Sequence, residues 1–339
     1  MRTFFYNLLV FLSLILIGEL IFGYWFSKNN FGIYMRAERD KNWKTSSNFN
    51  GKEYNFFYKR NFFGFRGEDF EPKDVKIIFE GGSTGNQRFT PENKTIVGLL
   101  NEKFASEYID IKIYNASTDG KSLRGIIYDF IYWFPKIDDF QPKILILYLG
   151  INERDLTEDI DEFQYDLKMK KKSFDKFKDY LKNNSFLIRK YILLKNTYFP
   201  KNTSSYNFNS KDLYNNFEYT NYILAKNKKR NYTEEDIKIL EQLDNRLESL
   251  KNIIKTKNMT PIIITQVNYE GLKDQKLFII NEKLKDFSKI NNFNIIKLDE
   301  IVEMELNDFY DQVHTTPNGS RRISDTIYPS LKKILLNLN

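Results

Sequence analysis

The chain has no cysteine and only one histidine, His314, in 339 residues. Without cysteine there is no disulfide, no thiolate metal site and no cysteine nucleophile. With one histidine, zinc centres built from His and Cys are excluded too. Carboxylate sites for Mg²⁺ or Ca²⁺ remain the metal option, although no EF-hand spacing occurs. A strong charge of one sign is also missing. Lys and Arg number 52 against 45 Asp and Glu, a net charge of +7. Such an excess can draw anionic glycans, lipid headgroups or nucleic acid, and a lysine- and asparagine-rich background composition accounts for it equally well. No recognised nucleic-acid module or basic stripe is present, so nucleic-acid binding is not expected. Internal repeats are absent.

What is present is enough apolar material for a substantial core: 41% hydrophobic and 16% aromatic residues, with the 29% charged residues interspersed. That is the composition of a folded chain, long enough for one large domain with additions or for two smaller ones. The first segment, RTFFYNLLVFLSLILIGELIFGYWF, is apolar over roughly the 20 residues that span a bilayer core. Asn7, Ser13 and Glu19 interrupt it mildly, and Tyr24 and Trp25 stand where an interfacial aromatic belt falls. No A-x-A-like cleavage site follows, so residues 1–27 are expected to be an uncleaved anchor, against a cleaved signal or a buried helix. Arg2 favours a cytoplasmic start. Lys28, Arg36, Arg39 and Lys41 oppose it, and the expectation is a single-pass protein with its bulk outside the cytoplasm.

Residues 28–73 form a polar, aromatic-rich stretch without clear periodicity. From residue 74 an alternation sets in. VKIIFE (75–80), IDIKIY (109–114), KILILYLG (143–150), PIIITQV (261–267) and NIIKLD (294–299) are β-branched apolar runs that read as strands buried on both faces. Helix-length stretches lie at 92–107, 122–136, 234–257, 274–291 and 317–337. Thr233 with Asp236 resembles a capping box, followed by an apolar stripe of Ile237, Leu240, Leu243, Leu247, Leu250 and Ile254. Strand–helix alternation implies parallel strands joined by right-handed crossovers, hence a three-layer α/β/α domain with a five-stranded parallel sheet. An insertion at about 156–232, with Lys168, Lys170, Lys171 and Lys172 and one plausible helix at 185–196, breaks the pattern. It reads as a lid, a partner surface or a solvated helical excursion.

In open parallel sheets ligands bind beyond the carboxyl ends of the strands. Those ends carry GGSTGN with Ser83, NASTDGKS with Gly120, GINERD with Asn152, and a loop with Asp311 and His314. Each suits acyl transfer. A serine hydroxyl needs a base to take its proton, and histidine, which titrates near neutrality, can do so. A carboxylate three residues before the histidine can fix its tautomer. The Ser83 and Gly120 N–H groups and the Asn152 amide can donate to an oxyanion. Thr316 and Pro317 look like an N-cap and first helical residue that would pin the histidine loop. A phosphate-cradling loop is the competing reading of GGSTGN, but the G-K-[ST] ending is missing. GGSTG also satisfies the G-x-S-x-G elbow, which would require earlier strands and an HGGG-like segment upstream.

These blocks resemble the SGNH/GDSL hydrolase superfamily: GGST (81–84), NASTDG (115–120), GINE (150–153) and DQVH (311–314), in family order over residues 75–339. NFFGFRGEDF (61–70) resembles a segment that precedes the first strand in membrane-linked members, with Arg66 expected as a structural clamp. Two departures stand out: Gly82 replaces the aspartate often found before the nucleophile, and Glu153 follows Asn152 where Asp is common. The resemblance implies a flavodoxin-like fold for residues 74–339 and a membrane-anchored serine esterase. Ser83 would be nucleophile, His314 base, Asp311 its orienter, with Gly120 and Asn152 in the oxyanion hole, and no cofactor or metal would be required. It further implies an O-acyl, chiefly acetyl, ester on a cell-envelope glycan or lipid as substrate. An O-acyltransferase with the same groups and a non-catalytic glycan-binding protein of the same fold are the alternatives.

Overall fold

Ile144–Tyr148 has no polar side and every residue in it is buried, so a strand made from it must be covered on both faces. The computed structural model of the chain describes residues 2–26, 39, 41–154, 173–199, 204–209, 220–271 and 273–338. Its elements in chain order are α1 (Arg2–Phe22), β1 (Lys41–Phe49), β2 (Lys52–Arg60), β3 (Ile77–Gly81), α2 (Ser83–Asn86), α3 (Ile96–Ser106), β4 (Ile113–Asn115), α4 (Leu123–Tyr128) and β5 (Ile144–Tyr148). There follow α5 (Ser173–Asn184), α6 (Phe186–Tyr198), β6 (Ser204–Phe208), α7 (Tyr222–Lys226), α8 (Glu234–Lys257), β7 (Thr260–Ile264), α9 (Gln275–Asn291), β8 (Asn294–Ile296), α10 (Leu298–Ile301) and α11 (Pro317–Leu338).

The main sheet has the order β4–β3–β5–β7–β8, with every pairing parallel. It is the flavodoxin-like order, in which a crevice opens beyond the carboxyl ends where the winding reverses, here at β3 and β5. Strand residues alternate between two cores, as a period of two requires. Leu145, Leu147 and Leu149 join α4, α8 and α9 on one face. Ile144, Ile146 and Tyr148 join α3 and α11 on the other. These are the three layers expected from the alternation of elements.

Four local features differ from the sequence reading. Residues 41–60 are an ordered antiparallel hairpin, Lys41 opposite Arg60 and Phe49 opposite Lys52. Asn50 and Gly51 turn it with φ of 53° and 88°, the left-handed pair that favours Asn-Gly. The described part of the insertion is not purely helical either, because β6 extends this hairpin by pairing parallel to β1. The lysine cluster at 168–172 lies outside the described residues. In α8 the capping box between Thr233 and Asp236 is present, but the stripe is rotated: Ile239 is buried and Ile237 is 49% exposed. With 3.6 residues per turn, Ile239 shares the face of Leu243, Leu247 and Leu250, and Ile237 points away. The helix expected at 122–136 begins as α4, widens to a π-turn at Asp129–Trp133 and ends in a 3₁₀ turn. α1 is exposed along its length and is long and apolar enough to cross a membrane, a description that fits an anchor or a signal sequence.

Leu147, fully buried in the central strand, has neighbours on both sides that cannot move to fill a void. Leu147→Ala is expected to lower stability by about 2–5 kcal/mol, measured as a reduced urea midpoint with an unchanged slope.

Candidate active site

Strand β3 delivers the chain to Gly82, after which Ser83 opens the short helix α2. The loop between the 3₁₀ turn Leu306–Asp308 and α11 carries Asp311 and His314. That loop is closed at its neck: Phe309 and Thr315 form an antiparallel bridge, and the Thr316 N–H donates to Asp308 O at 2.8 Å. Thr316 Oγ1 accepts the Gly319 N–H at 3.3 Å, capping α11 as its Thr-Pro start implies. Asp311 Oδ1 accepts the Val313 and His314 N–H groups at 2.9 and 2.7 Å, a turn in which the carboxylate organises its own loop. The second oxygen, Oδ2, lies 2.7 Å from His314 Nδ1. On the other side of the ring, His314 Nε2 lies 2.7 Å from Ser83 Oγ. The Tyr310 ring stacks on the imidazole at 5.5 Å with 8° between planes. Burial pushes the Asp311 carboxyl up, yet its bonds to His314 and to the two amides win and hold it below the usual carboxylate range. An ionised Asp311 accepts a hydrogen bond from Nδ1–H, the tautomer that turns the Nε2 lone pair toward the Ser83 hydroxyl.

The oxyanion candidates flank this serine. Asn152 Nδ2 donates to Lys121 O at 2.7 Å, and an amide nitrogen retains a second N–H. That nitrogen lies directly over Gly82, where a Cβ would come within 1.7 Å of it. Glycine in place of the usual aspartate is therefore what this packing requires. Gly120, at φ +73°, has nothing within 4 Å of the position a Cβ would take, so it faces open space on the rim. Among the described residues, no group of three or more His, Asp or Glu side chains is placed to hold a metal ion.

Several supporting residues escaped the sequence reading. Gln87, in left-handed conformation just after α2, donates from Nε2 to Thr315 Oγ1 at 3.0 Å and Ser320 Oγ at 2.5 Å. Its Oε1 accepts the Ile96 N–H at 2.6 Å. Gln266 donates to Thr84 Oγ1 and Tyr148 O and accepts from the Ile151 N–H, tying β7 to the Ser83 and Asn152 turns. Arg66 acts as the expected clamp: Nε pairs with Glu92 at 2.6 Å and its other nitrogens bond the Asn86 and Thr90 carbonyls. Arg60, also buried, donates to Ser117 O and Asn86 Oδ1. No local motif announces Gln87, Gln266 or Arg60, because each bonds to a distant part of the chain.

Beneath the rim lies a buried charge cluster. Lys121, next to Gly120, donates to Glu80, Asp129 and the Ala116 carbonyl. Burial works against its ammonium, but Asp129 and Glu80 outweigh that and keep it charged. Burial also pushes the Glu80 carboxyl well above its ordinary value, with the Asp129 charge adding and Lys121 opposing. One ammonium between two carboxylates leaves an excess negative charge, which a proton on Glu80 removes. The π-turn that begins at Asp129 brings its carboxylate to the lysine. Glu153, the other departure noted above, is buried and accepts the Leu123 N–H at the start of α4 at 2.7 Å. Burial raises it to about 7, opposed by that N–H and by Arg246.

No protein-family model matches the sequence, and no curated protein sequence matches it. Similar solved structures include TesA, with a TM-score of 0.44 and 11% identity over 76% of this chain and 98% of that one. The esterase EstA from Pseudoalteromonas sp. has a TM-score of 0.41 and 12% identity, over 77% of this chain and 99% of that one. For the acetyl xylan esterase AlAXEase the values are 0.42 and 10%, over 76% and 100%. Likeness at these scores carries no argument about chemistry, which rests on the residues described above.

The raised Glu153 carboxyl sets a pH dependence. Between about pH 4.5 and 7 the unfolded chain releases this proton and the folded protein keeps it, so stability falls as pH rises through that window. Glu153→Gln keeps an acceptor for the Leu123 N–H and removes the titration. Relative to the parent, it is expected to gain about 3 kcal/mol between pH 4.5 and 8, read from urea unfolding at both pH values.

Proposed function

We propose that the chain is a serine ester hydrolase of SGNH/GDSL type, working through an acyl-enzyme on Ser83. The observation that carries this reading is the unbroken relay Ser83 Oγ–His314 Nε2 and His314 Nδ1–Asp311 Oδ2, each 2.7 Å long. Ser83 Oγ attacks the ester carbonyl as its proton passes to His314 Nε2. Negative charge collects on the carbonyl oxygen, facing the Ser83 and Gly120 N–H groups and the free N–H of Asn152. Collapse breaks the ester C–O bond, and the alcohol leaves with the proton from His314. Water then attacks the acyl-enzyme, gives its proton to His314, and the carboxylic acid departs as the proton returns to Ser83. Throughout, Asp311 holds the ring and balances the imidazolium.

The substrate in this reading is an O-acyl ester, chiefly acetyl, on a cell-envelope glycan or lipid, met outside the cytoplasm by a chain anchored through α1. The apolar, fully exposed α1 supports membrane attachment. Exposed rings, Trp43 with Arg88 over it and Tyr206 packed on Phe89, support contact with sugar or acyl surfaces.

With p-nitrophenyl acetate, Ser83→Ala is expected to lose roughly 10⁴- to 10⁶-fold in kcat with an unchanged thermal midpoint. Full residual activity would rule Ser83 out as nucleophile. Asp311→Asn is expected to lose about 10⁴-fold, because the ring then takes the wrong tautomer. Restoring the usual residue with Gly82→Asp is expected to lower kcat by displacing the Asn152 amide; an active Gly82→Asp enzyme would show that this amide does not contribute to the rate.

A further inference from the structure

From the way α1 meets the insertion, we infer that helix α6 lies on the membrane surface as an interfacial platform fixed to the anchor. The inference rests on the reading of α1 as a membrane span. Residues 2–18 rise about 25 Å, close to the thickness of a bilayer core. That puts Glu19 at the border where α1 leaves the hydrocarbon. There its carboxylate takes up the start of α6: Oε1 accepts from Ser185 Oγ at 2.7 Å and the Leu187 N–H at 2.9 Å, and Oε2 accepts the Phe186 N–H at 3.1 Å. Neighbouring contacts reinforce the joint. The Tyr24 N–H donates to Asn184 O at 2.8 Å, the Phe22 and Phe186 rings meet at 5.6 Å, and Arg189 lies 4.3 Å from the Tyr24 ring. The amino end of α6 is therefore held at the level of the lipid headgroups.

From that end runs an uncovered stripe, Leu187, Tyr191, Leu194 and Tyr198, at spacings of one helical face; Tyr191 is 63% exposed and Tyr198 71%. The opposite side of α6 packs on β1 and, through Arg189, on Phe62. Exposed Lys190 and Lys195 border the stripe, their ammonium groups near the Phe186 and Tyr191 rings. Leucine and tyrosine on one face with lysine at its margin is the composition of a helix lying in the plane of an anionic interface. On α5, Phe174 and Phe177 are exposed as well, and Tyr180 packs on Trp25 at the exit of α1. Because α6 also touches β1, whose Phe49 packs on Tyr310 beside His314, the platform sets the height of the candidate site above the lipid.

The absence of cysteine makes a direct test available. The full chain, carrying one cysteine labelled with the dye NBD, is reconstituted in vesicles of phosphatidylcholine and phosphatidylglycerol. Probe positions are Tyr191→Cys and Leu194→Cys on the stripe, Leu12→Cys in α1, and Leu336→Cys on α11, which packs on the other face of the sheet from Phe62. Lipids brominated in their acyl chains are expected to quench positions 12, 191 and 194 several-fold and leave 336 unchanged, while iodide quenches 336 alone. Quenching at 12 with iodide access at 191 and 194 equal to that at 336 overturns the platform and leaves the anchor standing. No lipid quenching at 12 overturns both. Protection at 191 and 194 that ignores brominated lipid and rises with the protein-to-lipid ratio means a second copy covers the stripe, and also overturns the proposal.

Discussion

Gln87 is bonded at once to Ile96, Thr315 and Ser320, and through it the turn bearing Ser83 is held against the loop bearing His314. A buried amide with its donors and acceptor satisfied fixes its neighbours in position, because any shift leaves a polar group unpaired in a dry interior. The consequence is geometric. Residues 231 apart in sequence stand 2.7 Å apart, with the imidazole oriented from behind by a carboxylate that also folds its own loop. Chemistry at Ser83 depends on that junction more than on any property of the serine, whose hydroxyl is inert without a base within reach.

A second constraint lies beneath the rim. Lys121, Glu80 and Asp129 are charged or protonated groups removed from water, and such groups persist only when each is paired. They join the strand end before Ser83, the loop after Gly120 and the π-turn of the following helix. A charge cluster of this kind is costly to separate, so the Gly120 loop cannot drift from Ser83 without exposing an unpaired charge. Glu153 plays a similar part for Asn152, whose turn it attaches to the start of α4. Gly82 completes the fit by leaving room for the Asn152 amide, which a side chain at that position would displace.

The small sheet β2–β1–β6 links this core to the amino-terminal helix. On one side its Phe49 and Phe208 pack on Tyr310, which stacks on His314. On the other, β1 supports α6, whose first turn is capped by Glu19. Its Asn50–Gly51 turn has the residue pair that hairpins favour, yet the sequence reading passed over it. The polar character of residues 28–73 hid it, because a sheet with one solvated face lacks the continuous apolar run that marks β3 or β5.

The sequence by itself determined the layers and singled out the candidate reacting groups. The runs at 75–80, 143–150 and 261–267 were too apolar to face water and had to become strands covered on both sides, and Ser83, Gly120, Asn152 and the Asp311–His314 loop followed the ends at which such sheets bind ligands. Composition left a single possible histidine base. Local patterns of this kind survive in a string of letters because they depend on near neighbours and on period. Only the tertiary structure decided which strands adjoin, that Ile239 and not Ile237 faces the core, and that Gln87, Gln266 and Lys121 hold the site together. Those outcomes depend on partners tens to hundreds of residues away, and a buried polar side chain looks like any surface one until the groups that satisfy it have been brought to its side.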